Sequence, residues 1–191
     1  ACYEKIIHTF QVPVQIEEQT SYPFEETVRL KVSLPEGRRR AESFPLDLRI
    51  PEWSDGYTLT VNGESVEAET VGERTIRLVR DWHDGDEAVI EFNAPVRVSY
   101  WYDNAAVIER GPLVYSLRME EQWRKHEFSG SRAATYGEYY YEVTTPTEWN
   151  VALRNGDLQS GSIAERFTVE RRECGDRPWS SQTAPIVIRV R

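Results

Sequence analysis

Leu46-Asp-Leu-Arg-Ile-Pro-Glu-Trp-Ser54, followed after two residues by Tyr57-Thr-Leu-Thr-Val-Asn-Gly63, decides the fold. Leu46, Leu48 and Ile50 alternate with Asp47 and Arg49, the period of a strand with one buried face. Pro51 has no N–H to give to a ladder and closes that strand, and Trp53 follows as a large apolar anchor. Tyr57, Leu59 and Val61 repeat the alternation, and Asn62-Gly63 signals a tight hairpin turn. The stretch carries packing and no chemistry.

Outward from it the same period recurs. Val28, Leu30, Val32 and Leu34 alternate with polar residues until Pro35-Glu-Gly37. Tyr3 to Phe10 and Val12 to Glu18 read as two further strands, and Thr20-Ser-Tyr-Pro-Phe24 as a turn with aromatic flanks. On the other side come Val66 and Ala68, Thr75 to Val79 beyond Gly72, then Ala88, Ile90 and Phe92, then Val96, Val98 and Tyr100 after Pro95. Apolar residues almost never recur at helical spacing in this half. Strands at intervals of about eight to twelve residues, separated by turn signals, predict a β-sandwich.

A boundary falls near Tyr100-Trp-Tyr102, which divides the chain into a first β-sandwich domain, residues 1–102, and a second, residues 103–191. The predicted class is all-β, with two consecutive antiparallel sandwiches. In the second half, strands are predicted at Ala105 to Glu109, Leu113 to Leu117, Tyr139 to Val143, Trp149 to Leu153, Phe167 to Val169 and Ile186 to Val190. Gly111 permits an unusual backbone angle before Pro112. Residues 119–136 are polar and irregular and predict a long exposed loop; Asn155 to Ser162 predicts a turn.

Composition sets the outer limits. The chain has 191 residues, 39% hydrophobic and 29% charged, which reads as soluble and globular. No apolar run approaches the roughly 18 residues of a membrane helix, and residues at the start do not read as a signal peptide. The compartment stays open, with the cytoplasm ahead of secretion. A net charge of −9 repels phosphate backbones and argues against nucleic acid as a partner. Arg38-Arg39-Arg40 reads as a solvated loop. Cys2 and Cys174 lie far apart, make no metal knuckle, and read as free thiols.

Candidate chemistry is sparse. Glycoside hydrolysis asks for two carboxylates facing across a bond. Glu17-Glu18, Glu25-Glu26 and Glu120-Glu121 are neighbours, and strand neighbours point to opposite faces. Asp81-Trp-His-Asp-Gly-Asp86 is the most metal-like cluster, but it lacks calcium-loop spacing and reads as a turn in which Asp86 bonds the local backbone. His8, His83 and His126 stand alone, and no serine or cysteine has a nucleophile context. The aromatic residues remain. Trp53, Trp82 and Trp149 sit beside strand ends, where packing between sheets is the usual role. Trp123, Tyr136 and Trp179 sit in loop-like segments and are the candidates for stacking on sugar.

Six motifs occur in order: Thr20-Ser-Tyr-Pro-Phe24, Leu48-Arg-Ile-Pro-Glu-Trp53, Val61-Asn-Gly63, Arg80-Asp-Trp-His-Asp-Gly-Asp86, Arg110-Gly-Pro-Leu-Val-Tyr115 and Trp149-Asn150. Together, over about residues 20–153, they resemble the C-terminal β region of glycoside hydrolase family 127, the β-L-arabinofuranosidase-type family. The resemblance implies an (α/α)6 barrel that carries the active site, followed by two β-sandwich domains. It also implies retaining hydrolysis by a cysteine nucleophile held in a zinc–thiolate cluster, with a glutamate as acid/base, all in the barrel. No residue here matches those, so no catalytic residue, metal ligand or cofactor is carried onto this chain. The expectation is a non-catalytic accessory region without the barrel, whose partners would be the protein's own catalytic barrel and, in a homodimer, a second copy. A carbohydrate-binding module for an arabinose-containing glycan is the alternative, and a plain self-associating interaction domain is a third.

Overall fold

The computed structural model describes residues 2–9, 12–36, 42–153 and 166–190, with side chains from residue 13 onward within those ranges. Arg38-Arg39-Arg40, the turn Asn155 to Ser162 and the side chains of Cys2 and His8 lie outside the described residues.

Along the first half run β1 (Cys2–Thr9), β2 (Val12–Thr20), β3 (Thr27–Ser33), β4 (Glu42–Arg49), β5 (Tyr57–Val61), β6 (Glu64–Ser65), β7 (Glu69–Gly72), β8 (Thr75–Trp82) and β9 (Glu87–Phe92). They form a six-stranded sheet, β1-β2-β3-β9-β5-β6, and a three-stranded sheet, β4-β8-β7. All pairings are antiparallel. The alternating apolar residues line up across the ladders: Leu30 and Val61 both face Ala88, and Val28 and Leu59 both face Ile90. Leu46 stands opposite Leu78 in the second sheet. Burying those rows against each other makes one core, from Val14 and Val32 on one side to Phe44 and Ile76 on the other. Pro45 is tolerated inside β4 because β4 is an edge strand.

The turn between β5 and β6 is the one read from Asn62-Gly63, with φ of 52° and 84°. Strand β8 runs further than its apolar pattern suggests, through Trp82. That residue is fully buried, stacks on Phe44 with ring centroids 5.6 Å apart, and donates its indole N–H to the Phe44 carbonyl at 3.0 Å. The loop that follows is therefore short, and its two aspartates bond to the fold. Buried Asp86 accepts from the Asn62 side-chain amide at 2.8 Å and from the His83 N–H at 2.8 Å. Asn62 Oδ1 accepts the Glu87 N–H at 2.9 Å, and Asp84 accepts the Leu34 N–H at 2.8 Å. Burial pushes the Asp86 carboxyl up, but the bonds from His83 and Asn62 and the charge of Arg80 outweigh it and hold the group below its ordinary value of 3.8.

The second half is also antiparallel β-structure, in keeping with the all-β expectation. Strands β10 (Val96–Tyr100), β11 (Ala106–Arg110) and β12 (Leu113–Tyr115) form one sheet. The expected boundary at 102/103 falls in the 3-10 turn Tyr102–Asn104 between β10 and β11, which pair with each other. Strand β13 (Gln122–Glu127), helix α1 (Ser131–Tyr136) and β14 (Tyr139–Thr144) make a hairpin with a helical insert, and β15 (Phe167–Arg171) pairs with β16 (Ile186–Val190). Two expectations are corrected. Residues 119–136 are not a loop, because β13 is recruited by β14. Trp149 to Leu153 contains no strand, and Trp149 is exposed rather than packed between sheets.

Side chains fasten the halves together. Glu26 reaches out of the turn before β3 and takes Arg110 on one carboxylate oxygen and Arg171 on the other. Arg171 also donates to the Phe24 carbonyl at 2.9 Å, and Phe24 meets Trp179 at 4.9 Å. Gly111, at φ +59°, turns the chain beside Trp53 and Ala94, and Arg97 pairs with Asp55.

Two outcomes are expected. Asp86→Ala leaves the Asn62 amide and the His83 N–H without their acceptor and should cost about 2–3 kcal/mol in urea unfolding. Because the folded carboxyl is held below its ordinary value, its contribution is present in full above that value and is lost as pH falls through the lower, folded one. The acid limb of the wild-type stability curve should therefore be steeper than that of Asp86→Ala; parallel limbs would assign the acid loss to other groups. Glu26→Gln should cost about 3 kcal/mol, since it leaves two arginines facing a neutral amide. Hydrogen exchange should quicken in β15 and β16 while β3 and β9 hold; uniform quickening would refute the clasp.

Candidate functional site

The candidate aromatics do not form one site. Trp179, 73% exposed, leans on Phe24 beside the Glu26 clasp. Tyr136, 71% exposed, ends α1 and touches Phe128 at 6.0 Å. Trp123 lies on β13 and not in a loop. Its position follows from register: β13 and β14 pair from Gln122 opposite Thr144 to Glu127 opposite Tyr139. Period-two geometry puts Trp123, Lys125 and Glu127 on one face with Val143, Tyr141 and Tyr139, and Arg124 and His126 on the other with Glu142 and Tyr140.

Each face has its own order. On the first, Trp123 meets Tyr141 edge-on at 5.6 Å, and Tyr141 meets Tyr139 edge-on at 5.6 Å. The indole N–H of Trp123 donates to Glu121 at 3.0 Å. Lys125 sits 4.4 Å above the Tyr139 ring and 3.5 Å from Glu127. On the second face, His126 stacks on Tyr140 at 5.0 Å and bonds Glu142 at 2.8 Å, and Phe128 covers Tyr140 at 4.9 Å. Tyr139, Tyr141 and Lys125 escaped the sequence reading. The run Tyr139-Tyr-Tyr141 was the available signal, but it takes on meaning only once β13 is seen to pair with it.

Elsewhere the titratable groups are tied to neighbours. The clasp brings Glu26, Arg110 and Arg171 beside Tyr115, whose phenol is pushed up by burial. It holds a single carboxylate, already bound by two guanidinium groups, so it lacks the second carboxylate that hydrolysis would use. Of the adjacent Glu25 and Glu26, in the turn before β3, Glu25 is exposed while Glu26 turns into the clasp. Glu170 is bonded by Arg189 and Arg172, in that order of influence, and is held below the ordinary glutamate range. Asp47 takes both its bonds from Arg77. In the metal-like loop, Asp84 and Asp86 bond N–H groups, in line with the turn reading. Among the described residues no three His, Cys, Asp or Glu side chains converge, and Cys174 is exposed and unbonded to another cysteine. This donor set does not fit a zinc–thiolate centre.

The first half of the chain has a match among known protein families. Residues 3–96 match the family model described as the beta-L-arabinofuranosidase GH127 middle domain. A search of curated proteins finds no match. Among solved structures, a GH127 beta-L-arabinofuranosidase from Geobacillus stearothermophilus T6 aligns with 80% of the chain at 24% identity and a TM-score of 0.50, a likeness of fold. A protein described as a glycoside hydrolase aligns with 75% at 22% identity and TM-score 0.45, and a GH127 beta-arabinofuranosidase with 74% at 19% and 0.48. The chain spans only 27%, 27% and 26% of those three, about a quarter of each. Residues 3–96, just under half of the chain, thus carry a likeness to the middle domain of the β-L-arabinofuranosidase family GH127.

Proposed function

We propose that this chain is the non-catalytic accessory β region of an arabinofuranosidase-like GH127 enzyme, in which it supports a catalytic barrel that holds the zinc, the nucleophile and the acid/base. One observation carries the reading: buried Asp86 and half-buried Glu26 each use both oxygens on partners within the fold. A carboxylate engaged on both oxygens is occupied in holding the fold. The division into 1–102 and 103–191 belongs to this proposal, as do contacts with the barrel and, in a homodimer, with a second copy.

A second reading, glycan binding, is favoured by the row of Trp123, Tyr141 and Tyr139 on an exposed hairpin face. The two readings are compatible, because an accessory domain can hold a polymer near a barrel without reacting with it.

The purified chain should give no hydrolysis of a p-nitrophenyl arabinofuranoside above buffer, under conditions where it unfolds cooperatively. Turnover that follows the chain through successive chromatography steps would overturn the accessory reading.

A further inference from the structure

We propose that Asn62-Gly63 is a latent self-modification site, which the fold holds shut and unfolding opens, with water as the only co-reactant. An asparagine followed by glycine is prone to cyclise, because no side chain shields the nitrogen that comes next. The Gly63 nitrogen attacks the side-chain carbonyl carbon of Asn62 and a C–N bond forms. The bond from that carbon to Nδ2 breaks, and ammonia leaves with the proton of the attacking nitrogen. Water then opens the cyclic imide at either of its two carbonyl carbons, which gives aspartate or isoaspartate.

Burial does not protect the pair. Both residues are exposed, and a side chain on Gly63 would meet nothing within 4 Å. The protection lies in hydrogen bonds. Asn62 Nδ2 donates to Asp86 at 2.8 Å, and Oδ1 accepts the Glu87 N–H at 2.9 Å. The Asn62 N–H itself donates to the Glu87 carbonyl at 2.9 Å. Both polar atoms of the amide are thus pinned to the start of β9, while ring closure needs the amide to swing onto its own backbone. Closure therefore waits for the junction to open, and its rate follows the open fraction.

The product cannot restore the junction. An aspartate in this place has no N–H for Asp86 and sets one carboxylate against another, and isoaspartate also lengthens the backbone by a carbon. The charged groups around it are Arg80 and His83, which already act on Asp86, and Glu87, which pairs with Arg29 and stands opposite Lys31. A carboxyl here can donate to Asp86 only when protonated. Each opening of the junction thus risks a one-way change, and the site records how often the fold has opened.

The test holds the chain in mildly alkaline buffer with and without urea, and follows conversion of residues 62–63 by peptide mass. Asn155-Gly156 is the same dipeptide and supplies a reference rate in urea. The two pairs should convert alike in urea, and Asn62 at least about tenfold more slowly in the native state. Asp86→Ala, with folding checked by its melt, should raise the native rate towards the urea rate. Glu26→Gln loosens the clasp and not this junction, and should leave the native rate unchanged. Equal native and urea rates, or equal acceleration by the two variants, would overturn the lock. Chain aged in urea and then diluted should refold only in its unconverted fraction; full refolding of converted chain would overturn the one-way step. The stability deficit of Asn62→Asp should begin to shrink on acidification while the pH is still above the ordinary carboxyl value of 3.8, where that of Asn62→Gly stays flat. Parallel deficits would overturn the clash of carboxylates.

Discussion

A buried carboxylate in the β8–β9 connection ties together the first half of the molecule. Asp86 sits where the β8–β9 connection, the β5–β6 turn and the end of β3 meet, and its two oxygens take the Asn62 amide and the His83 N–H. Its own backbone continues the web: the Asp86 carbonyl accepts from Val32, and Gly85 donates to the Val32 carbonyl. Three segments far apart in sequence are thereby tied at one polar junction. An unpaired charge at this depth would be strongly unfavourable, so the arrangement holds as a whole or not at all. The apolar rows of the two sheets supply most of the driving force, while this polar junction sets how they are joined.

The second half is held by a different balance. Its strands bury few large side chains, with Phe167 and Ile186 the fully enclosed ones among the described residues. It leans instead on Glu26, on Phe24 against Trp179, and on the close passage of Gly111 by Trp53. The exposed rings gather in this half, while the full core lies in the first. The β13–β14 hairpin is the sharpest case, since two strands alone are marginal in water and its cross-strand aromatic contacts lend it order.

The first half was legible in the sequence because one buried face imposes period two on every strand. Leu46 with Leu78, and Leu59 with Ile90, follow directly from that pattern. The limits of legibility have the same cause. Strand β13, Gln-Trp-Arg-Lys-His-Glu, is exposed on both faces, so it has no hydrophobic alternation and reads as a loop until its partner is known. Trp149 to Leu153 errs the other way: apolar residues at strand spacing remain in solvent and find no ladder. The aromatic row spans two strands sixteen or more residues apart, a relation that composition does not contain. Trp82 was visible as a large ring beside a strand end, but its bond to the Phe44 carbonyl depends on sheet register.

Hairpin turns are ordinarily where a protein exchanges residues most freely. At Asn62 that freedom is gone. The backbone there has φ of 52°, which glycine and aspartate also accept, so turn geometry alone admits several residues. The side chain, however, must donate to Asp86 and accept from Glu87 at once. Glycine can do neither; aspartate can accept but would set a second carboxylate against the first; glutamine has the right groups on too long a stem. Two independent demands, one conformational and one of hydrogen-bond polarity, thus intersect at a single amino acid, and a surface turn acquires the mutational intolerance of a core position.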